Sequence, residues 1–301
     1  METSAFAPAH ITGLVIPDEI SSDPLHAGSK GIGFSIQEGV TTKVKAQHGT
    51  GEEVKVRING KPAPDAKVSI EAAKTILRRA GGKKYNLTIE HLVQVPIGVG
   101  FGTSGAAALS LTLAVNKALD LGLSTVEAAQ AAHVAEVACR TGLGTVLAEL
   151  HGGFEIRVAP GAPGIGELIH IPLNREYSVV FLTFGALSTG KMLDSLEQRH
   201  EAYTLAENLL TGFMQKRSVE NFLYVSNQFS RFLALNDKLE RVLTTTEGAG
   251  FICGVALFGQ TVFTIVKPEE TVEVERTFKR LMTKGAKILI TRISDQGARV
   301  L

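Results

Sequence analysis

The stretch Pro96-Ile-Gly-Val-Gly-Phe-Gly-Thr-Ser-Gly-Ala-Ala-Ala108 joins a glycine-dense turn directly to the start of a helix. Gly98, Gly100, Gly102 and Gly105 remove Cβ atoms, so the backbone can take positive φ and approach a ligand closely. The helix expected over Ser104–Leu121 then aims its unpaired N–H groups and positive dipole end into the turn, which favours anions. A chain built around such a turn is expected to bind phosphate.

Two common nucleotide motifs are approximated and fail on context. Gly100, Gly102 and Gly105 have the G-x-G-x-x-G spacing, but a dinucleotide fold needs a strand after the helix. Here Gly-Leu-Ser-Thr leads into a second helix, Ser124–Arg140. Gly185 to Met192 approximates G-x-x-x-x-G-K-[ST], yet Met192 stands where a hydroxyl should reach Mg²⁺, and a thioether is a poor ligand for a hard cation. Ser188, Thr189 and Lys191 in that connection either face an anionic substrate or belong to an ordinary turn.

The 301 residues suffice for two units of ordinary size, placed at 1–175 and 176–301, where the periodicity divides. A hydrophobic content of 44% with 20% charged residues describes a globular chain, and a formal charge of +1 offers nothing to nucleic acid or an acidic membrane surface. No apolar run reaches spanning length and no secretory signal is visible, so a cytoplasmic protein is expected. Cys139 and Cys253 are far apart, lack metal spacing and read as reduced. Strands are expected at Ser4–Pro8, Gly31–Ile36, Thr42–Gln47 and Val54–Ile58, with Asn59-Gly60 as a hairpin turn. A helix over Val68–Ala80 and a strand over Tyr85–Val95 lead to the glycine turn. Beyond its helices come strands Phe154–Val158 and Leu168–Pro172. The second unit is expected as strand Tyr177–Phe184, helices Leu193–Lys216, Ser218–Leu233 and Asp237–Thr244, strands Phe251–Phe258 and Thr261–Val266, helix Glu269–Lys284 and strand Ala286–Ile293. The class is α+β.

The glycine turn resembles Pro-x-Gly-x-Gly-Leu-Gly-Ser-Ser-Ala-Ala, the phosphate-loop motif of the GHMP small-molecule kinases, with Phe101, Thr103 and Gly105 as mild changes. Ala5-Phe-Ala-Pro-Ala-His-Ile-Thr-Gly13 resembles that superfamily's first, substrate-side motif. Together with Gly28-Ser-Lys-Gly-Ile-Gly-Phe-Ser35, the pattern most resembles the archaeal pantoate kinases. The resemblance implies a two-lobed GHMP kinase fold, with a ribosomal protein S5 domain 2-like N-terminal lobe and a ferredoxin-like C-terminal lobe. It also implies ATP and Mg²⁺ as cofactors and phosphorylation of pantoate to 4-phosphopantoate on the archaeal route to coenzyme A. Homoserine, shikimate or a mevalonate derivative are the alternative acceptors, and a non-catalytic nucleotide sensor is the reading outside the enzyme class. A homodimer is possible, with no surface identified for it.

Phosphoryl transfer needs a phosphate cradle, a metal and a positioned acceptor hydroxyl. Pro96, Gly98, Gly100, Gly102, Thr103, Ser104, Gly105 and Ala106 form the candidate cradle. The resemblance assigns Ser104 to Mg²⁺, against the plainer role of N-cap. Glu136, three residues after His133 and four before Arg140, is the candidate carboxylate for the metal, against an exposed Glu136–Arg140 ion pair. At Thr141-Gly-Leu-Gly-Thr145 the chain departs from the superfamily, many of whose members carry an aspartate where Thr145 stands. Threonine is no base near neutral pH, so the site works by positioning, or the chain is an inactive variant or a pseudoenzyme. Homoserine kinases lack that aspartate and still transfer phosphate. His10, Thr12, Ser29, Lys30, Arg140 and Lys191 are the candidates for the acceptor, Arg140 as a bidentate grip on a carboxylate. The superfamily's third glycine motif is expected at Glu247-Gly-Ala-Gly250.

Overall fold

The computed structural model describes residues 1–18, 21–49, 53–186, 200–233 and 236–301. Lys191, with Ser188 and Thr189, lies outside these residues.

The first sheet is built on two long antiparallel strands, β1 (Glu2–Asp18) and β2 (Gly28–His48), with irregularities in register between Pro8 and His10 and between Thr12 and Leu14. It is completed by β3 (Val54–Ile58), β4 (Lys61–Pro62), β5 (Tyr85–Val93), β6 (Phe154–Ala159) and β7 (Glu167–His170). The β3–β4 hairpin turns on Asn59 and Gly60, both at positive φ, as Asn-Gly predicts.

Sequence periodicity finds only the ends of the long strands. Ala5 through Pro17 are all buried, because helices cover one face of β1 and the second lobe covers the other, so no alternation survives. Gly31 and Gly33 interrupt the pattern of β2 for a packing reason: a Cβ on either would stand 2.4 Å or less from a β1 carbonyl oxygen.

Helices α1 (Lys67–Leu77), α2 (Thr103–Leu119), α3 (Thr125–Cys139) and α4 (Thr145–His151) belong to the first lobe. α2 buries most of its circumference and packs on β1, β2 and α3. α3 starts with a capping box, Ser124 and Glu127 each satisfying the other's backbone N–H.

The second lobe runs β8 (Ser178–Ala186), α5 (His200–Gln215), α6 (Val219–Leu233), α7 (Asp237–Gly248), β9 (Gly254–Ala256), β10 (Gly259–Val266), a 3₁₀ turn at Pro268–Glu270, α8 (Thr271–Leu281) and β11 (Lys287–Arg292). Its antiparallel sheet has the order β11-β8-β10-β9, fourth, first, third and second of its strands, the ferredoxin-like arrangement. Residues 294–301, expected within the second unit, return to the first lobe, where β12 (Arg299–Val300) pairs with β1.

The lobes share a core. Phe34 of β2 packs on Phe222 (5.9 Å between ring centroids) and Phe263 (5.5 Å), and Phe101 of the glycine turn packs on Phe181 at 4.9 Å. Near the glycine turn the two backbones are in contact: Leu257 N–H donates to the Thr12 carbonyl (3.0 Å), and the Thr261 hydroxyl donates to the Val99 carbonyl (2.7 Å).

Candidate functional site

The glycine turn adopts the conformations its composition permits. Gly98, Gly100 and Gly102 have φ of 76°, 97° and 61°, where a Cβ is disfavoured. Gly105 is needed for room instead, since its Cβ would stand 2.7 Å from Glu149 Oε2. Gly102 is the N-cap of α2, and the helix begins at Thr103. Ser104 therefore lies inside the first turn and is not the cap. The turn is fixed from below by the His10 N–H, which donates to the Phe101 carbonyl at 3.1 Å.

Two cavities meet at this turn. One, of about 190 Å³, is lined by His10, Thr12, Ser29, Thr145 and Arg157 together with turn residues and the second-lobe side chains Leu257 and Phe258. The other, of about 310 Å³, is mostly apolar and runs between the start of α1 and β5, past Ile58, Val68, Val93 and Ala107. Ile97, Thr103, Ser104 and Thr141 line both. Glu247–Gly250 lines neither: a Cβ on Gly248 or Gly250 would meet nothing, and the second lobe reaches the turn instead through Ala186, Ala256, Leu257, Phe258, Gly259 and Thr261. A Cβ on Gly259 would fall 1.9 Å from the Val99 carbonyl, so the β9–β10 connection presses on the cradle's own backbone.

Glu136, on α3, lines neither cavity itself but bonds to Ser104 and Thr141, which line both, and it is only 2% exposed, which excludes the exposed ion pair. Thr141 donates to Glu136 Oε1 at 2.6 Å, and Ser104 also donates to this carboxyl. Burial raises its pKa above the usual carboxylate range, and these two hydrogen bonds oppose the rise. Gly142 gives Glu136 its room, since a Cβ there would stand 2.1 Å from Oε2. Arg140 leaves α3 in the left-handed conformation (φ 52°, ψ 45°), is exposed and does not line either cavity. His133, on the same helix, is spent on structure: its Nε2 donates to the Pro24 and Ala27 carbonyls at 3.1 and 3.0 Å. Lys30 pairs with Glu207 of α5 across the lobes and is absent from the lining of both cavities.

His10 lies within β1, not in a loop, and is 1% exposed. Its Nε2 donates to Glu155 Oε1 at 3.0 Å, and Arg157 donates to the same oxygen at 2.8 Å. Burial lowers the His10 pKa despite Glu155, so the ring is neutral. Arg157 is 1% exposed, yet it borders the smaller cavity, and its Nε has no partner. Ser29 and Arg157 flank Gly144, whose Cβ would stand 2.6 Å from Ser29 Oγ and 3.2 Å from Arg157 Nε. Sequence reasoning passed over Arg157 because it sits inside a short apolar strand; a full charge between Ile156 and Val158 is the signal that marks it. Glu149, 0% exposed on α4, was passed over too. Burial first, and Glu136 second, push its pKa well above the usual carboxylate range, with Arg157 opposing.

The site thus combines an anion cradle, a hard-oxygen group of Ser104, Thr141 and Glu136, and a small, largely apolar cavity bordered by a buried guanidinium. Hydroxyls and one or two carboxylates are the donor set Mg²⁺ takes, and this group fits it. Among the described residues no group of three or more His, Cys, Asp or Glu side chains is arranged as a metal site, and no helix is long and apolar enough to cross a membrane.

Residues 67–153 match the N-terminal domain of the GHMP kinases. The pantoate kinase of Methanocaldococcus jannaschii is 32% identical to the chain, over 88% of this chain and 93% of that one. The pantoate kinase of Thermococcus kodakarensis is 36% identical over 63% of this chain and 62% of that one, a match spanning less than two thirds of its length. A solved phosphotransferase related to the CoA biosynthesis pathway superposes with a TM-score of 0.83 at 26% identity, covering 100% of this chain and 98% of that one. The two-lobed architecture is that of the GHMP kinases, and the chain belongs to their pantoate kinase family.

Proposed function

We propose that the chain transfers the γ-phosphoryl group of ATP to the primary hydroxyl of pantoate, giving 4-phosphopantoate. One observation carries this reading: an apolar cavity suited to a nucleoside and a smaller, largely apolar cavity bordered by Arg157, His10, Thr12 and Ser29, suited to a branched hydroxy acid, meet at Ser104, on the first turn of a helix whose N-terminus favours phosphate. The pantoate kinases among the relatives support the acceptor.

Each residue then has a task. The turn from Gly98 to Ala106 receives the phosphates on backbone N–H groups. Ser104 and Glu136 would hold Mg²⁺, which neutralises charge developing on the transferred phosphoryl group. Arg157 receives the acceptor's carboxylate, and His10 and Glu155 fix its plane. Val15, Leu143 and Leu257 supply apolar wall for the acceptor's dimethyl carbon, and Ser29 and Thr12 offer hydroxyls to its oxygens. Thr145 orients the reacting hydroxyl through a hydrogen bond and does not deprotonate it.

ADP formation with ATP and Mg²⁺ against pantoate, homoserine, shikimate and mevalonate tests the reading. Turnover is expected with pantoate alone. Turnover with another acceptor replaces pantoate, and nucleotide binding with no turnover replaces the kinase with a sensor.

A further inference from the structure

Glu149 has no task in that mechanism, although its burial demands an explanation. Neither carboxyl oxygen has a hydrogen-bond partner and the residue is 0% exposed, a costly state for a carboxyl group. It stands one helical turn beyond Thr145 on α4. Helical side chains lean towards the N-terminus, so Glu149 reaches back beneath Thr145 towards the cradle. The position where Gly102 would carry a Cβ is 2.7 Å from Glu149 Oε1 and 2.8 Å from Thr145 Cγ2. The equivalent position on Gly105 is 2.7 Å from Glu149 Oε2 and 3.2 Å from Glu136 Oε2.

Two carboxyls, one from α3 and one from α4, therefore converge on the first turn of α2, in space that two glycines leave open. Arg157 on that side gives Nη1 to Glu155 and makes no hydrogen bond to Glu149. Two facing carboxyls with no hydrogen bond between them are an arrangement that a divalent cation satisfies and that a hydrophobic core does not.

We propose that Glu149 is a further carboxylate for the divalent cation of the phosphate cradle, acting with Glu136 and Ser104. The inference rests on the kinase reading above, in which that cation accompanies ATP.

The test is a Mn²⁺ titration of the full chain without nucleotide, with free Mn²⁺ read by its electron paramagnetic resonance signal. Wild type is expected to bind one Mn²⁺. Glu149→Gln and Glu136→Gln should each weaken binding about tenfold or more, while Glu247→Gln on the surface of α7 should not. Thermal unfolding without metal checks that Glu149→Gln folds, and adding Thr145→Asp to it should recover part of the affinity. Weakening by Glu136→Gln with Glu149→Gln unchanged overturns the assignment of Glu149 and leaves the cation site standing. No effect of either removes the cation site itself, and no Mn²⁺ binding by wild type overturns the proposal outright. If Glu149→Gln does not fold, Glu149→Asp, shorter by one methylene, takes its place with the same expectation and the same refuting result.

Discussion

Arg157 concentrates a full charge where the two lobes, β6 and the turn before α4 converge. Arginine is almost never this buried without a partner, and here one nitrogen is satisfied by Glu155 while Nε remains open beside the cavity. Replacing it with lysine keeps the charge and removes the planar fork, so the change reads geometry and not electrostatics. Arg157→Lys is expected to lower kcat/KM for pantoate about 10- to 100-fold, the scale of a lost charge-assisted hydrogen bond, and to leave the KM for ATP unchanged. Steady-state kinetics with each substrate varied in turn checks this. Equal damage to both KM values would make Arg157 a brace for Glu155 and no part of acceptor binding. Glu149 is not legible in sequence as a site residue, and Arg157 only through its charge between two apolar residues. A charge inside a six-residue strand and a glutamate on a seven-residue helix have ordinary surface readings, and only tertiary packing shows that both are buried and point at one turn. The glycines of that turn were legible, since positive φ and close approach leave few other residues possible.

At the level of elements, a chain of hydrogen bonds joins α1, β5, β2 and α2. Ser110 donates to the Ala106 carbonyl (2.7 Å), so the Thr42 hydroxyl donates to Ser110 Oγ (2.6 Å) and accepts from His91 Nδ1 (2.7 Å). His91 Nε2 then accepts from Ser69 of α1 at 3.0 Å. The ring is neutral, and burial lowers its pKa from 6.5 to about 4. The unfolded chain therefore binds this proton more tightly than the folded one. The resulting stability is present in full above pH 6.5 and is lost as pH falls towards 4, a total of about 3 kcal/mol. His10 and His133 contribute in the same direction, and the raised carboxyls of Glu136 and Glu149 in the opposite one, so the wild-type curve alone does not isolate His91. His91→Asn keeps a donor near Nδ1 and cannot titrate. Urea unfolding of both proteins at pH 7 and pH 4 should show their stability difference shrinking by about that amount; parallel pH profiles would refute the assignment. The elements in this network were legible where one face meets solvent, as in α1 and β5. The long strands β1 and β2 were not, because burial on both faces removes the alternation that marks a strand.

Across the whole molecule, the chain crosses to the second lobe after β7 and comes back. That return secures α4, the helix carrying Thr145 and Glu149. Seven residues are too few for a helix to hold itself, so α4 depends on its neighbours. The Ala298 N–H donates to the Glu149 carbonyl at 3.0 Å, and the backbone at Gln296–Gly297 packs so closely on α4 and Gly152 that a Cβ on Gly297 would stand 2.0 Å from the Leu150 carbonyl oxygen. The tail is itself fastened by β12 on β1, by the Leu301 N–H to the Ser4 carbonyl (2.9 Å), and by Arg299 over the ring of Phe6 at 4.8 Å. Removing residues 297–301 forfeits these contacts, on the order of 2–4 kcal/mol at about 1 kcal/mol per hydrogen bond, less than a domain's usual stability. The shortened chain should stay folded, with a lower Tm. The cradle's backbone is held by His10, Thr261 and Gly259, none of them in the tail, so nucleotide affinity should hold. Turnover should fall at least several-fold, because the side chains of Thr145 and Glu149 lose the support that fixes their helix. Nucleotide binding by calorimetry and ADP formation on the same preparation separate the two effects. A truncated chain that keeps full turnover would show that α2, β1 and α3 hold α4 unaided.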